Sequence, residues 1–335
     1  MKIVFFNIRE DEIPFYKEKC PKELEQIYFK ESLNRCDFLG YDFSDISFLS
    51  ISAMSDLSKE TLMRFPKLKF IFTRSMGFNH IDLSYCKENN IKVFNTPHYG
   101  DWSVAEFAFG LLLNLAKKIN FGIDKIKNPT LSHNLLGFEL HNKILGIIGL
   151  GSIGERVYNI AEGFGMKVFA YDKIPKENYK YLPLDKLLNI SDVISVNCPL
   201  NSETKYLLNE ETFKKIKRGA VIINVARGEI IETSALIRAI ESGIISYAGI
   251  DVVECESVSY SLGEKNFNLE CVNNECFKAH ILNQKLLSYP NVIMTPHMAY
   301  LTKEAILRIN EITIKNIECC VKNNFNLCLK NQVLL

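Results

Sequence analysis

Short apolar runs recur along the chain, and segments of helical spacing separate them. Before residue 100 there are helical stretches such as residues 59–65, and the apolar runs around them are residues 2–6, 46–52, 69–74 and 92–95. Apolar runs of about four to eight residues are typical of buried strands. Because strands that alternate with helices form parallel sheets, this pattern predicts an α/β domain at the N-terminus.

A second alternating series starts at residue 144 and predicts a doubly wound, nucleotide-binding domain. Its strand-like runs are residues 144–148, 167–171, 192–197, 221–226, 247–251 and 292–295. A mostly buried helix is predicted over residues 104–119, where Ser103 and Glu106 have the spacing of a capping box. A last helix, from residue 303 to about residue 323, is expected to pack on the first domain. Residues 101–298 would then be inserted into a domain made of residues 1–100 and 299–335.

Composition and charge exclude some classes of function. The chain has 335 residues, which is enough for two domains. Its 40 Lys and Arg residues nearly cancel its 39 Asp and Glu residues, so no overall charge attracts nucleic acid or an anionic membrane. The first apolar run is too short for a signal peptide, and no run is long enough to span a membrane. We therefore expect a cytoplasmic protein whose partner is a small molecule.

The ten cysteines show no spacing that is typical of a disulfide framework, and we expect reduced, buried thiols. Cys271, Cys276 and His280 have the residue types of a zinc site but lack a fourth ligand, so no metal is predicted. These three residues lie in a segment, residues 257–290, that is rich in Asn, Glu and Lys and longer than most connections. A lid, an oligomer contact and an elaborated loop all remain open for it.

A glycine motif points to a dinucleotide. It follows the apolar run 144–148, precedes a helical stretch, and reads Gly149-Leu150-Gly151-Ser152-Ile153-Gly154. In such a motif the first glycine permits a tight turn, the second lets the backbone approach a pyrophosphate, and the third allows close helix packing. Asp172 ends the next strand-like run, where an acid binds the ribose hydroxyls of NAD and repels the extra phosphate of NADP. We predict NAD as the cofactor, although the neighbouring Lys173 leaves dual specificity conceivable.

Three further segments carry candidate catalytic residues. Each follows a strand-like run, and they are residues 224–228, 249–256 and 295–299. Ligands of open α/β sheets bind at the carboxyl ends of the strands, so an arginine, an acid and a histidine are expected to converge there. An arginine suits a substrate carboxylate, and a histidine held by an acid suits proton transfer to a ketone. A plain salt bridge, a solvated acid and a capped turn are the structural alternatives.

In these motifs the chain resembles the D-isomer-specific 2-hydroxyacid dehydrogenase family, and most of all its D-lactate dehydrogenase subgroup. The segments GLGSIG, NVARGEII, GIDVVECE and TPHMAY follow in the family's order over nearly the whole chain. The resemblance implies a flavodoxin-like substrate domain, D stereochemistry, a homodimer, and the catalytic residues Arg227, Glu256 and His297. Glu254 competes for the role of the acid, but the family places its acid five residues after the aspartate that is Asp251 here.

The resemblance also implies further binding residues. For the substrate these are Ser75, Met76 and Gly77, whose backbone amides would receive a carboxylate, and Tyr99 and Tyr300, which would line the pocket or pack in the core. For the cofactor they are Cys198, Pro199, Ala226 and Asp251. The chain departs from the family pattern at Asn79, where Asp is common, at Ser257, where Pro is common, and in the 40 residues between Glu256 and His297.

The predicted function is the NAD-dependent, reversible reduction of a small 2-keto acid, with pyruvate favoured, to the D-2-hydroxy acid. Glyoxylate or hydroxypyruvate reduction would use the same three catalytic residues with a different side-chain pocket. The alternative outside the enzymes is a binding module that senses NAD and acts like a corepressor, because a fold does not settle a function.

Overall fold

The computed structural model describes residues 1–33, 38, 40–130, 134–261 and 274–333. From the N-terminus, its elements are β1 (Lys2–Phe5), α1 (Ile13–Lys19), β2 (Glu25–Tyr28), β3 (Ile46–Ile51), α2 (Lys59–Leu62), β4 (Phe70–Thr73), α3 (Leu83–Glu88) and β5 (Lys92–Phe94). They continue with α4 (Asp101–Lys117), α5 (Ile119–Lys127), β6 (Ile144–Ile148), α6 (Ser152–Gly163), β7 (Lys167–Tyr171), α7 (Leu184–Ile190), β8 (Val193–Val196), α8 (Glu210–Phe213) and β9 (Ala220–Asn224). The last are α9 (Thr233–Glu241), β10 (Ile245–Ile250), α10 (Glu256–Ser261), α11 (Asn274–Leu287), β11 (Val292–Met294) and α12 (Lys303–Val321).

The chain divides into two units, which are Met1–Tyr99 with Thr302–Leu335, and Gly100–Leu301. The second boundary was predicted three residues earlier, between 298 and 299. Residues 299–301 belong to the second unit because Ala299 is bonded there on both sides of its peptide: its carbonyl oxygen accepts a hydrogen bond from the Ser103 hydroxyl at 2.7 Å, and its N–H donates to Asp251 at 2.9 Å.

The first unit contains a parallel sheet in the order β2-β1-β3-β4-β5 within the described residues. This 2-1-3-4-5 order is that of flavodoxin-like folds, as expected. Side chains of β1 alternate between two cores: Val4 packs with the cluster around Leu49, and Ile3 and Phe5 pack with the cluster that includes Ile317 of α12. The terminal helix therefore packs on the first sheet, as predicted. Strand β2 was not predicted, because its residues EQIY form a half-exposed strand without an apolar run.

The second unit contains a parallel sheet in the order β11-β10-β9-β8-β6-β7 within the described residues. Strand β7 pairs with one side of β6 and β8 with the other, so the direction of winding reverses at β6. Helix α4 covers one face of the sheet, where Leu111 and Leu115 are buried, and α9 covers the other, where Leu236 is buried. This is the Rossmann-like architecture that the second alternating series predicted, and its reversal point is where such sheets bind ligands.

The predicted capping box at Ser103 is wrong. Helix α4 begins at Asp101 with Gly100 as its N-cap residue, so Ser103 lies inside the first turn and its hydroxyl donates to Ala299 instead. The helix starts earlier than the apolar pattern does, because its first turn is fixed by contacts that are distant in sequence.

The expectation of reduced thiols is wrong for one pair of cysteines. Cys255 and Cys276 form a disulfide with 5.3 Å between their Cα atoms, whereas Cys20, Cys86, Cys198, Cys319, Cys320 and Cys328 are free and buried. The pairing could not be read from the sequence, because a separation of 21 residues is not typical of any disulfide motif. The fold brings Cys276, in helix α11, next to Cys255. Cys276 is therefore not a free metal ligand, and Cys271 lies outside the described residues. Much of the 257–290 segment is helical, in α10 and α11, while residues 262–273 also lie outside the described part.

None of the helices in the described part of the chain has the length and apolar character needed to cross a bilayer.

Candidate active site

The predicted site residues of the second unit follow the carboxyl ends of its strands. The glycine motif follows β6, Asp172 follows β7, Arg227 follows β9, Glu256 follows β10 and His297 follows β11. Because all pairings in this sheet are parallel, these loops emerge at one edge. The edge therefore brings a dinucleotide motif and three candidate catalytic side chains into one region of one unit.

Backbone geometry requires glycine at two positions of the motif. Gly149 has φ +91°, and a Cβ atom there would lie 2.6 Å from the Cα atom of Cys198. A Cβ atom on Gly154 would overlap the carbonyl oxygen of Gly149, so the start of α6 packs tightly on the turn. Gly151 differs from both, because a Cβ atom there would meet nothing within 4 Å. Its backbone therefore borders open space, as expected where a pyrophosphate approaches.

The first turn of α6 suits an anion. The helix begins at Ser152, Ile153 lies in its first turn, and its N-cap residue, Gly151, has no side chain to cap it. First-turn N–H groups of a helix need outside acceptors, and the helix dipole favours a negative charge there. The Ser152 hydroxyl is turned aside and donates to Asp101 at 3.0 Å. This end of α6 fits the diphosphate of a dinucleotide.

Asp172 is held against the glycine loop. Its carboxylate accepts hydrogen bonds from the N–H groups of Leu150 at 2.6 Å and Ile174 at 3.1 Å. The adjacent Lys173 forms an ion pair with Glu203, so it is engaged with another acid. A carboxylate at this place suits ribose hydroxyls and disfavours an additional phosphate.

Cys198 and Pro199 follow β8. Cys198 is buried beneath Gly149, and burial raises the pKa of its thiol to about 12, which makes it an unreactive packing residue. Pro199 is exposed, and its carbonyl oxygen accepts a hydrogen bond from the Thr204 hydroxyl at 2.6 Å. The structure thus places Cys198 against the glycine loop, and a cofactor contact of Pro199 stays a prediction.

His297 and Glu256 form a hydrogen-bonded pair, with 2.6 Å between Nδ1 of the imidazole and Oε2 of the carboxylate. Their side chains are 22% and 19% exposed, which shields the contact without closing it to a small molecule. The carboxylate fixes the ring through Nδ1, so Nε2 is the nitrogen that can meet a substrate. The pair has the geometry of an acid–base catalyst with an orienting acid.

Asp251 supports the turn that carries His297. Its side chain is fully buried, and its carboxylate accepts hydrogen bonds from the Thr295 hydroxyl at 2.6 Å and the N–H groups of Met298 at 3.0 Å and Ala299 at 2.9 Å. Burial raises the pKa of Asp251, and these hydrogen bonds partly oppose it. His297 itself has φ +49° and donates its N–H to the Asp251 carbonyl at 2.8 Å. These contacts are those of a positioning residue, and the predicted cofactor contact of Asp251 stays a prediction.

Glu254, the competing acid, is bonded to Tyr206 and Thr233. One of its carboxylate oxygens accepts a hydrogen bond from the Tyr206 hydroxyl at 2.6 Å, and the other accepts from the side chain and N–H of Thr233. The bond to this carboxylate is the main reason that the pKa of Tyr206 is raised. Glu254 therefore ties its loop to neighbouring segments, and Glu256 is the acid that the structure brings to the histidine.

The loop that carries Arg227 is held by a buried amide. The Asn224 side chain is 1% exposed; it donates to the Arg227 carbonyl at 2.9 Å and accepts from the N–H of Ala226 at 3.0 Å. The half-buried Arg227 guanidinium donates to the Ala226 carbonyl at 2.6 Å. Asn224 was not predicted as a site residue. A polar residue that ends the apolar strand AVIIN was the available signal.

The remaining predicted substrate residues divide between the units. In the first unit, the loop after β4 is cross-linked: the Ser75 hydroxyl donates to the Gly77 carbonyl at 2.7 Å, and the Asn95 amide donates to the Met76 carbonyl at 2.8 Å. Tyr99 ends that unit, and its carbonyl oxygen accepts from Arg308 at 2.7 Å.

In the second unit, the Tyr300 ring lies 6.2 Å from the His297 ring and perpendicular to it. This perpendicular arrangement is typical of aromatic pairs. Tyr300 also packs against the core on the α4 side of the sheet, so its two predicted roles are compatible.

Comparison with known proteins agrees with this geometry. The family model described as "D-isomer specific 2-hydroxyacid dehydrogenase, NAD binding domain" matches residues 109–299. The chain belongs to the D-isomer-specific 2-hydroxyacid dehydrogenase family. Its second unit is an NAD-binding domain, and the whole chain has the family's oxidoreductase fold.

Several members of the family match over most of their length. An aromatic 2-oxoacid reductase of Clostridium sporogenes is 34% identical over 95% of this chain and 96% of its own. The D-lactate dehydrogenase of Escherichia coli is 34% identical over 75% of both chains. Among solved structures, the D-lactate dehydrogenase of Aquifex aeolicus complexed with NAD and lactic acid has a TM-score of 0.87 at 34% identity, covering 99% of this chain and 98% of that one. These relatives thus include enzymes named for different substrates, an aromatic 2-oxoacid and D-lactate.

Proposed function

We propose that the chain reduces a small 2-keto acid, with pyruvate favoured, to the D-2-hydroxy acid in a reversible, NAD-dependent reaction. The observation that carries this proposal is the 2.6 Å pair of His297 and Glu256. It lies at the sheet edge that also carries the glycine loop and Asp172. Membership of the 2-hydroxyacid dehydrogenase family supports the same chemistry.

His297 acts as the proton donor. NADH, when bound at the glycine loop, supplies the hydride for the keto carbon. Nε2 of the protonated imidazole gives its proton to the carbonyl oxygen, and in the reverse direction the neutral ring takes the hydroxyl proton. Glu256 keeps Nδ1 protonated and its negative charge stabilises the imidazolium form. Asp251 holds the backbone turn that aims the ring.

Arg227 binds the substrate carboxylate. Its guanidinium is permanently charged, and its planar fork matches the two oxygens of a carboxylate. The same charge draws electron density from the adjacent keto group, which favours attack on the keto carbon. Residues 75–77, Tyr99 and Tyr300 stay proposed substrate residues on the strength of the resemblance to the family.

Two substrate classes have specific support. Pyruvate is favoured by the likeness to the Aquifex aeolicus D-lactate dehydrogenase with lactic acid, which covers nearly all of both chains. Aromatic 2-keto acids are the second candidate, because the aromatic 2-oxoacid reductase of Clostridium sporogenes is equally identical over 95% of this chain. The two classes need the same catalytic residues and differ only in the space for the side chain.

A substrate panel tests the proposal. We would measure NADH oxidation by the purified protein with pyruvate, 2-ketobutyrate, phenylpyruvate, glyoxylate and hydroxypyruvate, and determine the configuration of each product. The highest kcat/KM with pyruvate and a D-lactate product are expected. A preference for phenylpyruvate would reassign the substrate within the family. NADH binding without turnover of any acid would contradict the enzymatic proposal and support the corepressor-like binding module.

We also propose a homodimer, which the resemblance to the family implies. Helix α5 exposes an apolar stripe at helical spacing, and a nearby segment of the same unit exposes two leucines; the residues are Ile119, Ile123, Ile126, Leu135 and Leu136. A second copy of the chain is the proposed occupant. Light scattering on the wild-type protein and on Ile123→Lys/Ile126→Lys tests this: a dimer that becomes a monomer is expected, and a monomeric wild type would contradict it.

A further inference from the structure

One cysteine of the Cys255–Cys276 disulfide is the residue next to the proposed catalytic acid. Cys255 precedes Glu256 in the chain, and Cys276 lies in the first turn of α11. The cross-link therefore fastens the loop between β10 and α10 to a helix that contributes none of the predicted catalytic residues. A change at the disulfide acts on the backbone next to Glu256.

Helix α11 also holds this loop by a buried side chain. Asn283 is 2% exposed, and its amide donates hydrogen bonds to the Glu254 carbonyl at 2.9 Å and the Ser259 hydroxyl at 2.8 Å. The two contacts flank Cys255 and Glu256 in the chain. Together, the disulfide and Asn283 define where the Glu256 backbone lies relative to α11.

We propose that Cys255 and Cys276 form a redox site at which a small thiol or disulfide controls turnover, by setting how firmly Glu256 is held against His297. The inference rests on the proposed function, because it assigns regulation to that site. In the reduction, two molecules of a small thiol give up two electrons and two protons; they become one disulfide, while the protein disulfide becomes two thiols. Oxidation by a small disulfide is the same exchange in reverse.

Accessibility distinguishes this pair from the other cysteines. Both residues are half-buried and so are more exposed to solvent than the buried free cysteines. The six free cysteines of the described part are buried, and burial raises the pKa of Cys86 and Cys198, for example, to about 12. Because thiolates are the reactive form, the thiols of Cys86 and Cys198 are poorly reactive near neutral pH.

A histidine follows Cys276 about one turn later on α11. His280 is four residues after Cys276, so the helix places the two side chains on the same face. It is 8% exposed, and its Nδ1 atom has no hydrogen-bond partner within the described residues. An imidazole at this position can take the proton of a Cys276 thiol or return it, which is how cysteine environments promote thiol–disulfide exchange.

Disulfide mapping and turnover of the wild-type protein test the proposal together. Peptide mapping without reduction should recover Cys255 joined to Cys276. Treatment with dithiothreitol should then lower kcat about three- to tenfold, since small displacements of catalytic groups have effects of this size or larger. The KM for NADH should stay nearly unchanged, and oxidised glutathione should restore kcat. A peptide that joins Cys255 to Cys271, or kcat that is unaffected by reduction, would overturn the proposal.

Variants separate the site from general effects of the reductant. Cys276→Ser should have the kcat of the reduced wild type and show no response to dithiothreitol. Cys328→Ser, a change of a buried free cysteine in the first unit, should keep the full response. A Cys276→Ser protein that still responds would overturn the assignment. His280→Gln should slow the reoxidation of the dithiol by oxidised glutathione, measured by thiol titration.

Hydrogen–deuterium exchange gives a readout that does not depend on turnover. Reduction should speed exchange in residues 254–259 and leave the α4 amides unchanged. Unchanged exchange in residues 254–259 would contradict the redox inference even if the enzyme is active. Absence of turnover with every 2-keto acid, together with faster exchange on reduction, would instead contradict the proposed function alone.

Discussion

Gly228 lies directly against the carbonyl group of Val253, so that the loop bearing Arg227 and the loop bearing Glu256 touch through their backbones. A Cβ atom at Gly228 would overlap that carbonyl. Because two backbones form the contact, neither side can yield by rotating a side chain. The positions of Arg227 and Glu256 are therefore coupled.

Gly228→Ala is expected to separate these loops. Overpacking of this kind costs about 1 to 3 kcal/mol of stability, and we expect kcat/KM to fall at least about tenfold because both catalytic loops move. Gly163→Ala is the control, since a Cβ atom there meets nothing within 4 Å and the change should leave both quantities nearly unaltered. Steady-state kinetics and urea unfolding measure the two effects. Equal behaviour of the two variants would show that the loops are not coupled.

Removing the acid–base pair should affect chemistry and spare cofactor binding. His297→Ala is expected to lower kcat about 10² to 10⁴-fold, the usual contribution of general acid–base catalysis. Glu256→Gln should lose less, about ten- to hundredfold, because the amide keeps a hydrogen bond to Nδ1 but lacks the charge that stabilises the imidazolium form. Fluorescence titration should give NADH affinities close to wild type. Lost NADH binding in His297→Ala would mean that the histidine has a structural role.

Asp251→Asn separates a positioning role from a cofactor contact. An amide in place of the carboxylate would direct an NH2 group at the N–H of Met298 or Ala299, and such a buried mismatch costs about 1 to 3 kcal/mol. We expect a lower kcat, because the mismatch displaces the turn that carries His297. The NADH dissociation constant should stay within about threefold of wild type, because this turn does not bind the cofactor in the proposed role. A large loss of NADH affinity with unchanged kcat would identify Asp251 as a cofactor-binding residue instead.

Asp172→Ser tests the origin of the NAD preference. The change removes a negative charge beside the glycine loop and the acceptor for the Leu150 N–H. We expect the ratio of NADH to NADPH affinity to fall about tenfold or more, as for the loss of charged hydrogen bonds. Glu203→Gln, which frees the Lys173 ammonium from its partner, should increase NADPH affinity slightly. An unchanged ratio in Asp172→Ser would remove this residue from the ribose site.

Asp192 gives the fold a pH-dependent contribution. Burial tends to raise the pKa of Asp192, but the N–H of Ile144 at 2.8 Å and the Lys217 ammonium at 2.7 Å lower it overall. A pKa that is lower in the folded than in the unfolded state adds stability above the unfolded pKa and loses it as the pH falls through the folded pKa. Asp192→Asn should therefore destabilise the protein by about 1 to 2 kcal/mol at neutral pH, and the difference should vanish in acid.

Urea unfolding at neutral and acid pH measures that difference. Asp185→Asn is the matched control, because this acid pairs with Lys215 at the surface, with its side chain 64% exposed. Exposed pairs add little stability, so the control should resemble wild type at every pH. A pH-independent loss in Asp192→Asn would attribute the effect to packing and not to charge.

Local chemistry made much of the site predictable. Apolar runs located the strands of both sheets apart from the polar edge strand β2, and the glycine motif lay at a strand–helix junction, where its steric demands are local. Parallel strands were expected to bring an arginine, an acid and a histidine to one edge, and the resemblance to the family assigned the catalytic roles to Arg227, Glu256 and His297. The half-exposed strand β2 was not predicted, because its pairing with β1, and not its own composition, makes it a strand.

The contacts that organise those residues could not be predicted in the same way. Asn224 holds the Arg227 loop only because its amide bonds both the Arg227 carbonyl and the Ala226 N–H. Ser103 does not cap helix α4, because the helix starts two residues before it. The choice between Glu254 and Glu256 was decided by the direction in which the loop turns, since Tyr206 and Thr233 take up the first acid.

By itself, the sequence determined the α/β class, the dinucleotide motif and the residue types of the candidate catalytic site, because apolar periodicity and glycine geometry act over a few residues. Only the tertiary structure decided that Asp251 shapes the His297 turn and that Cys255 is bonded to Cys276. These relationships join positions 21 or more residues apart. Such contacts depend on how whole strands and helices pack, and packing of that kind leaves no fixed spacing in the chain.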